Sequence, residues 1–160
     1  MARRKNRWVL AKIYFPDHRP DGEDRSRVLT REAFETELLR VCDLLFGSIG
    51  GVYVANATNV VVINETDSFV LFQTRRCFLS KLLCVLRCFD RLQKAAIKLD
   101  VFHVGGTLHH CKKLLFTSLL ETLSQLNALR LTGTPQHSSV IKNTISSISE
   151  VTRIRNPTDF

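Results

Sequence analysis

Residues 7–15 alternate between apolar and mixed positions. Val9, Ala11, Ile13 and Phe15 fall on one side of an extended strand, Trp8, Leu10, Lys12 and Tyr14 on the other. This predicts a strand with one apolar face and one aromatic-basic face. Residues 16–27 break the pattern with Pro, Gly and mixed charges, as a polar loop does. From Thr30 the period changes. Phe34, Leu38, Val41 and Leu45 form a helical stripe, with Thr30 placed to cap it and Glu32 and Glu35 near its positive end. The glycines between Gly47 and Gly51 are expected to end that helix. Val52–Val54 and Val60–Ile63 read as strand-like, residues 64–67 as a turn, and Ser68–Thr74 as the returning arm of a hairpin. A second helix is expected over Arg75–Asp90. Ten of the thirteen residues from Cys77 to Phe89 are apolar, which predicts cover on more than one side. Ala95–Val104 reads as a strand, and a long helix should run from Leu108 to about Leu129. Thr132–His137 is a linker. Ser138–Ile154 is rich in Ser and Thr, yet Ile141, Ile145, Ile148 and Val151 keep helical spacing, as in a weak helix or a docking segment.

The order is βαββαβ followed by a helix. It predicts an α/β (α+β) domain of ferredoxin-like, RNA-recognition-like type: an antiparallel sheet with helices on one face and an additional long C-terminal helix. Residues 1–131 should form one RNA-binding α/β domain and residues 132–160 a polar tail. Sheet-face readout of single-stranded RNA needs a strand of K/R-G-F/Y type, and SFVLFQT at residues 68–74 lacks it. Trp8 and Tyr14 are therefore expected as packing or partner contacts rather than base-stacking residues.

Charge changes the picture from fold to partner. The net charge is +8, with a pI near 9.6, which favours nucleic acid or an acidic surface. The charge is segregated. Met1–Lys12 holds Arg3, Arg4, Lys5, Arg7 and Lys12 and no acid, and Arg75–Lys113 holds nine Lys or Arg against Asp90 and Asp100. Five cysteines, an odd number, without an apolar signal region behind the basic start, fit a reducing compartment. No run of about 18 uninterrupted apolar residues is present, so no membrane partner is expected.

The densest chemical signal is DVFHVGGTLHHCKKLL, residues 100–115. It reads as a strand end, a Gly105–Gly106 turn that lets backbone approach closely and permits φ > 0, a Thr107 cap, and a helix start crowded by His109, His110, Lys112 and Lys113. Cations beside the positive end of a helix dipole call for an anion, and free helix amides can hold one. In so basic a chain the anion of choice is a phosphate of nucleic acid. Cys77, Cys84 and Cys88, spaced seven and four apart among Leu, Val and Phe, read as small core hydrophobes rather than zinc ligands. Adjacent His109, His110 and Cys111 fan around a helix and do not converge. No P-loop, G-x-S-x-G or H-E-x-x-H occurs, and no pairing of acids and histidines suggests acid-base catalysis.

Together, MARRKNRWVLAKIYF, NVVVINETDSFVLFQTRRCFLSKLL and FHVGGTLHHCKKLL resemble the Pop-five family, the small basic subunit shared by ribonuclease P and ribonuclease MRP. The resemblance runs to about Leu126 and leaves out the loop at residues 16–27 and the tail. It implies an RNA-recognition-like sandwich with added helices and a non-catalytic protein that braces a catalytic RNA. Cleavage would belong to that RNA and its Mg2+ ions, with no cofactor on the protein. It further implies work on precursor tRNA and pre-rRNA, a nuclear and nucleolar location, and two protein partners: a related small subunit of the same fold and a larger barrel-type subunit. Carried over residue by residue, RNA binding falls to Arg3, Arg4, Lys5 and Arg7, to Arg75 and Arg76, and to His103, Gly105, Gly106 and Thr107 with Lys112 and Lys113. The alternative from the residues alone is a ferredoxin-like interaction module whose basic patch meets an acidic protein or another RNA.

Overall fold

A computed structural model of the chain describes residues 5–16, 28–64, 68–130 and 145. β1 (Asn6–Tyr14) is followed by α1 (Arg31–Asn56), β2 (Thr58–Asn64) and β3 (Phe69–Arg75). A 3-10 turn (Arg76–Phe78) leads into α2 (Leu79–Arg87). A short hairpin of β4 (Arg91–Leu92) and β5 (Ala95–Ala96) then precedes β6 (Lys98–Gly105) and α3 (Leu108–Arg130). The four long strands form an antiparallel sheet in the order β2-β3-β1-β6, the ferredoxin-like arrangement the element order predicts. Residues 1–107 make one compact unit and residues 108–160 another.

The core lies between the sheet and α1 and α2. Val9, Ala11 and Ile13 of β1, Val70 and Phe72 of β3 and Leu99 of β6 meet Phe34, Leu38 and Val41 of α1 and Leu82, Val85 and Leu86 of α2. Phe34 sits edge-on to Phe72 at 6.2 Å and stacks on Phe89 at 6.3 Å. Thr30 caps α1 as expected, its hydroxyl accepting from the Ala33 amide at 3.2 Å. The second sheet face is also largely buried along its middle, at Trp8, Leu10, Leu71 and Gln73.

Three expectations are corrected. The glycines from Gly47 to Gly51 do not end α1. Gly47 takes φ 69° and ψ 171°, which swings the chain without stopping it, and Val52–Val54 belong to the helical arm beyond the bend. Gly51 makes the bend compact, since a Cβ there would lie 2.8 Å from the Asp43 amide nitrogen. Past the bend, a buried pair of threonines fixes the helix end: Thr58 Oγ1 donates to the Val54 carbonyl at 3.0 Å, and Thr74 Oγ1 to the Ala57 carbonyl at 3.3 Å. Leu45 does not extend the buried stripe; it is exposed, as are Leu44, Ile49, Val52 and Tyr53 around the bend. Nor is α2 apolar all round. Leu82, Val85, Leu86 and Phe89 face the core, while Ser80, Lys81, Arg87 and all three cysteines of this stretch face out. The helix period separates two kinds of apolar residue that composition merges.

By length and composition α1 could cross a membrane, but its Phe34, Leu38, Val41 and Val54 are spent on the core. In the second unit, α3 buries Leu108, Cys111, Leu115 and Leu119 at three- and four-residue spacing and exposes Phe116 and Leu120. The expected tail helix at residues 138–154 lies outside the described residues, apart from an exposed, helical Ile145.

Candidate nucleic-acid interface

Strand register gathers two distant basic segments and the Gly-Gly turn. β1 lies between β3 and β6, antiparallel to both, so its start stands beside both of their ends. Asn6 pairs with Arg75, Arg7 with Thr74, and Trp8 with Gly105 on the other side. The pairing continues past the strands, where the Arg76 amide donates to the Lys5 carbonyl at 2.9 Å. Lys5, Arg75, Arg76 and Cys77 line an open cleft. Arg7 turns its Nη1 onto the Asn6 carbonyl at 3.2 Å, which directs its guanidinium toward the Gly-Gly turn. A Cβ built on Gly106 would lie 3.6 Å from that nitrogen. No acid occurs in residues 5–7, 74–77 or 103–107, so nothing within these segments neutralises the cluster.

Each expected binding residue can now be placed. Lys5, Arg7, Arg75, Arg76, Gly105, Gly106 and Thr107 share this end of the sheet. His103 is half-buried on β6 opposite Leu10, two residue pairs further in than Gly105. Arg3 and Arg4 lie outside the described residues. Lys112 and Lys113 belong to the second unit, in the first turns of α3, with Lys113 exposed and Lys112 half-buried. Neither glycine of the turn uses the φ > 0 open to it: Gly47 is the only described glycine with positive φ. Gly106 instead contributes a bare, exposed backbone beside Arg7. Absence of a side chain, rather than an unusual dihedral, opens the turn to a large anion.

The cysteines are also reassigned. Cys77, Cys84 and Cys88 are exposed free thiols; Cys42 and Cys111 are the buried ones. Burial pushes the Cys42 thiol up to about 11. Among the described residues no group of three or more His, Cys, Asp or Glu could hold a metal ion. The carboxylates that do converge form an ion-pair network away from the cluster. Arg40 donates through Nε to both oxygens of the buried Glu37, at 2.9 and 3.0 Å, and through Nη2 to Asp90 Oδ1 at 2.9 Å. This raises the Arg40 pKa, chiefly through the hydrogen bonds to Glu37, and joins α1 to the loop after α2.

A dense basic end on a ferredoxin-like sheet, in segments that hold no acid, suits phosphate binding. The model of the Rpp14/Pop5 family of ribonuclease P proteins matches residues 7–116, which include Arg7, Arg75, Arg76 and the whole Gly-Gly segment. The chain belongs to the Rpp14/Pop5 family. Its members are subunits of ribonuclease P and ribonuclease MRP, so this chain is a component of an RNA-protein complex. One chain of the cryo-EM structure of yeast ribonuclease MRP superposes with a TM-score of 0.46 at 8% identity, over 68% of this chain and 79% of that one. No curated protein matches the sequence. For an Rpp14/Pop5 chain, the residues that sequence reasoning overlooks are those at the other end of the sheet. In the pattern, Phe69 and Phe102 are only parts of strands, and Lys12 is only one charge among several.

Proposed function

We propose that this chain is a non-catalytic subunit that braces the catalytic RNA of ribonuclease P, the particle maturing precursor tRNA 5′ ends, and of ribonuclease MRP, which processes ribosomal RNA precursors. The observation that carries the reading is the convergence of Lys5, Arg7, Arg75, Arg76 and the bare Gly106 at one end of the sheet, in segments that hold no acid. Two chain segments held in one ladder present cations at fixed spacing beside the bare Gly-Gly turn, which positions an RNA backbone without reading its bases. Arg3 and Arg4 extend the same basic segment, and Lys112 and Lys113 add positive charge at the start of α3. In this reading Mg2+ ions held by the RNA carry out the cleavage and the protein binds no cofactor. A related small subunit of the same fold and a barrel-type subunit are the protein partners, for which the exposed apolar surface at Leu44, Ile49, Val52 and Tyr53 supplies contact area. Nucleus and nucleolus are the compartments of such work.

The test is to purify the full chain from cells, sequence its bound RNA and assay precursor-tRNA cleavage before and after nuclease treatment. The expected result is one structured RNA and cleavage that disappears with it. Cleavage surviving nuclease treatment would indicate a protein enzyme, and copurification of proteins alone would indicate an interaction module; either overturns the reading.

A further inference from the structure

The far end of the second sheet face differs from its buried middle. Tyr14 and Phe102 are 45% and 51% exposed there. They are linked by direct contacts: Lys12 Nζ stands 5.5 Å from the centre of the Tyr14 ring and 5.7 Å from that of Phe69, whose ring meets Phe102 edge-on at 6.2 Å. A β-bulge builds this arrangement. Leu10 pairs with His103 and Ala11 with Val101, which leaves Phe102 as the extra residue of β6, bent out of the ladder. Lys98, exposed, stands opposite Tyr14, and a carboxylate, Asp100, stands opposite Lys12. Two half-exposed rings flanked by lysines are costly to leave in water but match a base with its phosphate. Rings offer a flat apolar face, and the ammonium groups meet the backbone charge.

We infer that Tyr14 and Phe102, with Lys12 and Lys98 beside them, form a stacking platform for unpaired RNA bases at the end of the sheet opposite the basic cluster. Tyr14, expected as a packing or partner contact, is half-exposed, and the proposal gives it an RNA base as that partner. It rests on the RNA-binding reading and adds to it: one end of the sheet holds backbone, the other holds bases. Such a site takes a single-stranded segment, since a base inside a duplex cannot present its face.

The full chain is titrated with a short single-stranded oligoadenylate and with an abasic oligomer of the same phosphate number. The wild type should bind the base-bearing strand about tenfold more tightly, within the range of roughly five- to a hundredfold per stacked base. Tyr14→Ala with Phe102→Ala should abolish that difference and leave abasic binding unchanged, with a wild-type circular dichroism spectrum showing that the variant is folded. Tyr14→Phe should keep it. An unchanged ratio in the double variant overturns the platform, as does photo-crosslinking from position 102 in the purified particle that lands on protein instead of RNA. If the chain purifies without RNA yet binds the oligoadenylate through these two rings, the platform stands and the ribonuclease reading falls.

Discussion

Single residues decide whether glycine is needed. Gly47 is required for its dihedral, because φ 69° with ψ 171° is nearly closed to a side chain although no atom stands within 4 Å of its missing Cβ. Gly106 is required for neither dihedral nor space in the fold. Gly47→Ala should therefore lower stability by about 1–3 kcal/mol in urea denaturation, and Gly106→Ala should leave it within about 0.5 kcal/mol. A reversed order would mean that the bend at Gly47 is not intrinsic to the fold. The thiols divide the same way. Cys77, Cys84 and Cys88 should react with a disulfide reagent in the native protein at pH 8, Cys42 and Cys111 only on unfolding. Cys42 also carries a pH signature. Its folded pKa of about 11 lies above the unfolded value, so its contribution is complete below about pH 9 and is lost as pH rises toward 11. Two pH units correspond to about 2–3 kcal/mol. Wild type should lose about that much relative to Cys42→Ala between pH 9 and 11, and parallel curves would show that the thiol is hydrated.

Among the elements, the strands are the most legible. β1 announces itself through alternation, β3 as an apolar run returning after a turn and β6 as the strand before the Gly-Gly turn, and the ferredoxin-like βαββαβ order implies that β1 sits between the other two, with its start beside their ends. That is enough to bring Arg7, Arg75 and Gly105 together. Other features are hidden. Glycine marks both helix ends and helix bends, and only the packing of Gly51 on the Asp43 backbone distinguishes them here. Cysteine counts as apolar in any hydropathy pattern, so α2 reads as wholly buried until its phase is fixed. The bulge at Phe102 leaves no trace in composition, because it depends on how two strands share unequal lengths. Between elements, Arg40 bridges Glu37 on α1 and Asp90 beyond α2. Arg40→Ala strands the buried Glu37 carboxylate and should cost about 1–3 kcal/mol. Thermal melts of Arg40→Ala and of Glu37→Gln with Arg40→Ala separate that penalty from simple loss of packing; equal losses would mean that the carboxylate is not stranded.

At the scale of the whole molecule, positive charge and RNA affinity should be linked through salt. Arg75→Ser with Arg76→Ser should weaken binding of the copurified RNA and flatten its log-log salt dependence by roughly 0.7–0.9 for each phosphate no longer neutralised. Superimposable salt series would remove the β3 end from the interface. Tyr14→Ala, at the opposite end, should reduce affinity with little change of slope, because stacking releases few counterions.

The placement of β1 bears on when the protein becomes competent. Of the four strands of the sheet, the first in the chain is an inner one, and its Trp8 pairs with Gly105 at the end of the fourth. Until β6 emerges, Arg7 has no Gly-Gly turn beside it, and Tyr14 has no Lys98. Synthesis at roughly 5–20 residues per second is far slower than loop closure, so β1 lacks its β6 neighbour for as long as β6 is unmade. On the proposed RNA-binding reading, a product truncated before β6 carries Lys5, Arg7, Arg75 and Arg76 without the strand register that sets their spacing against the Gly-Gly turn.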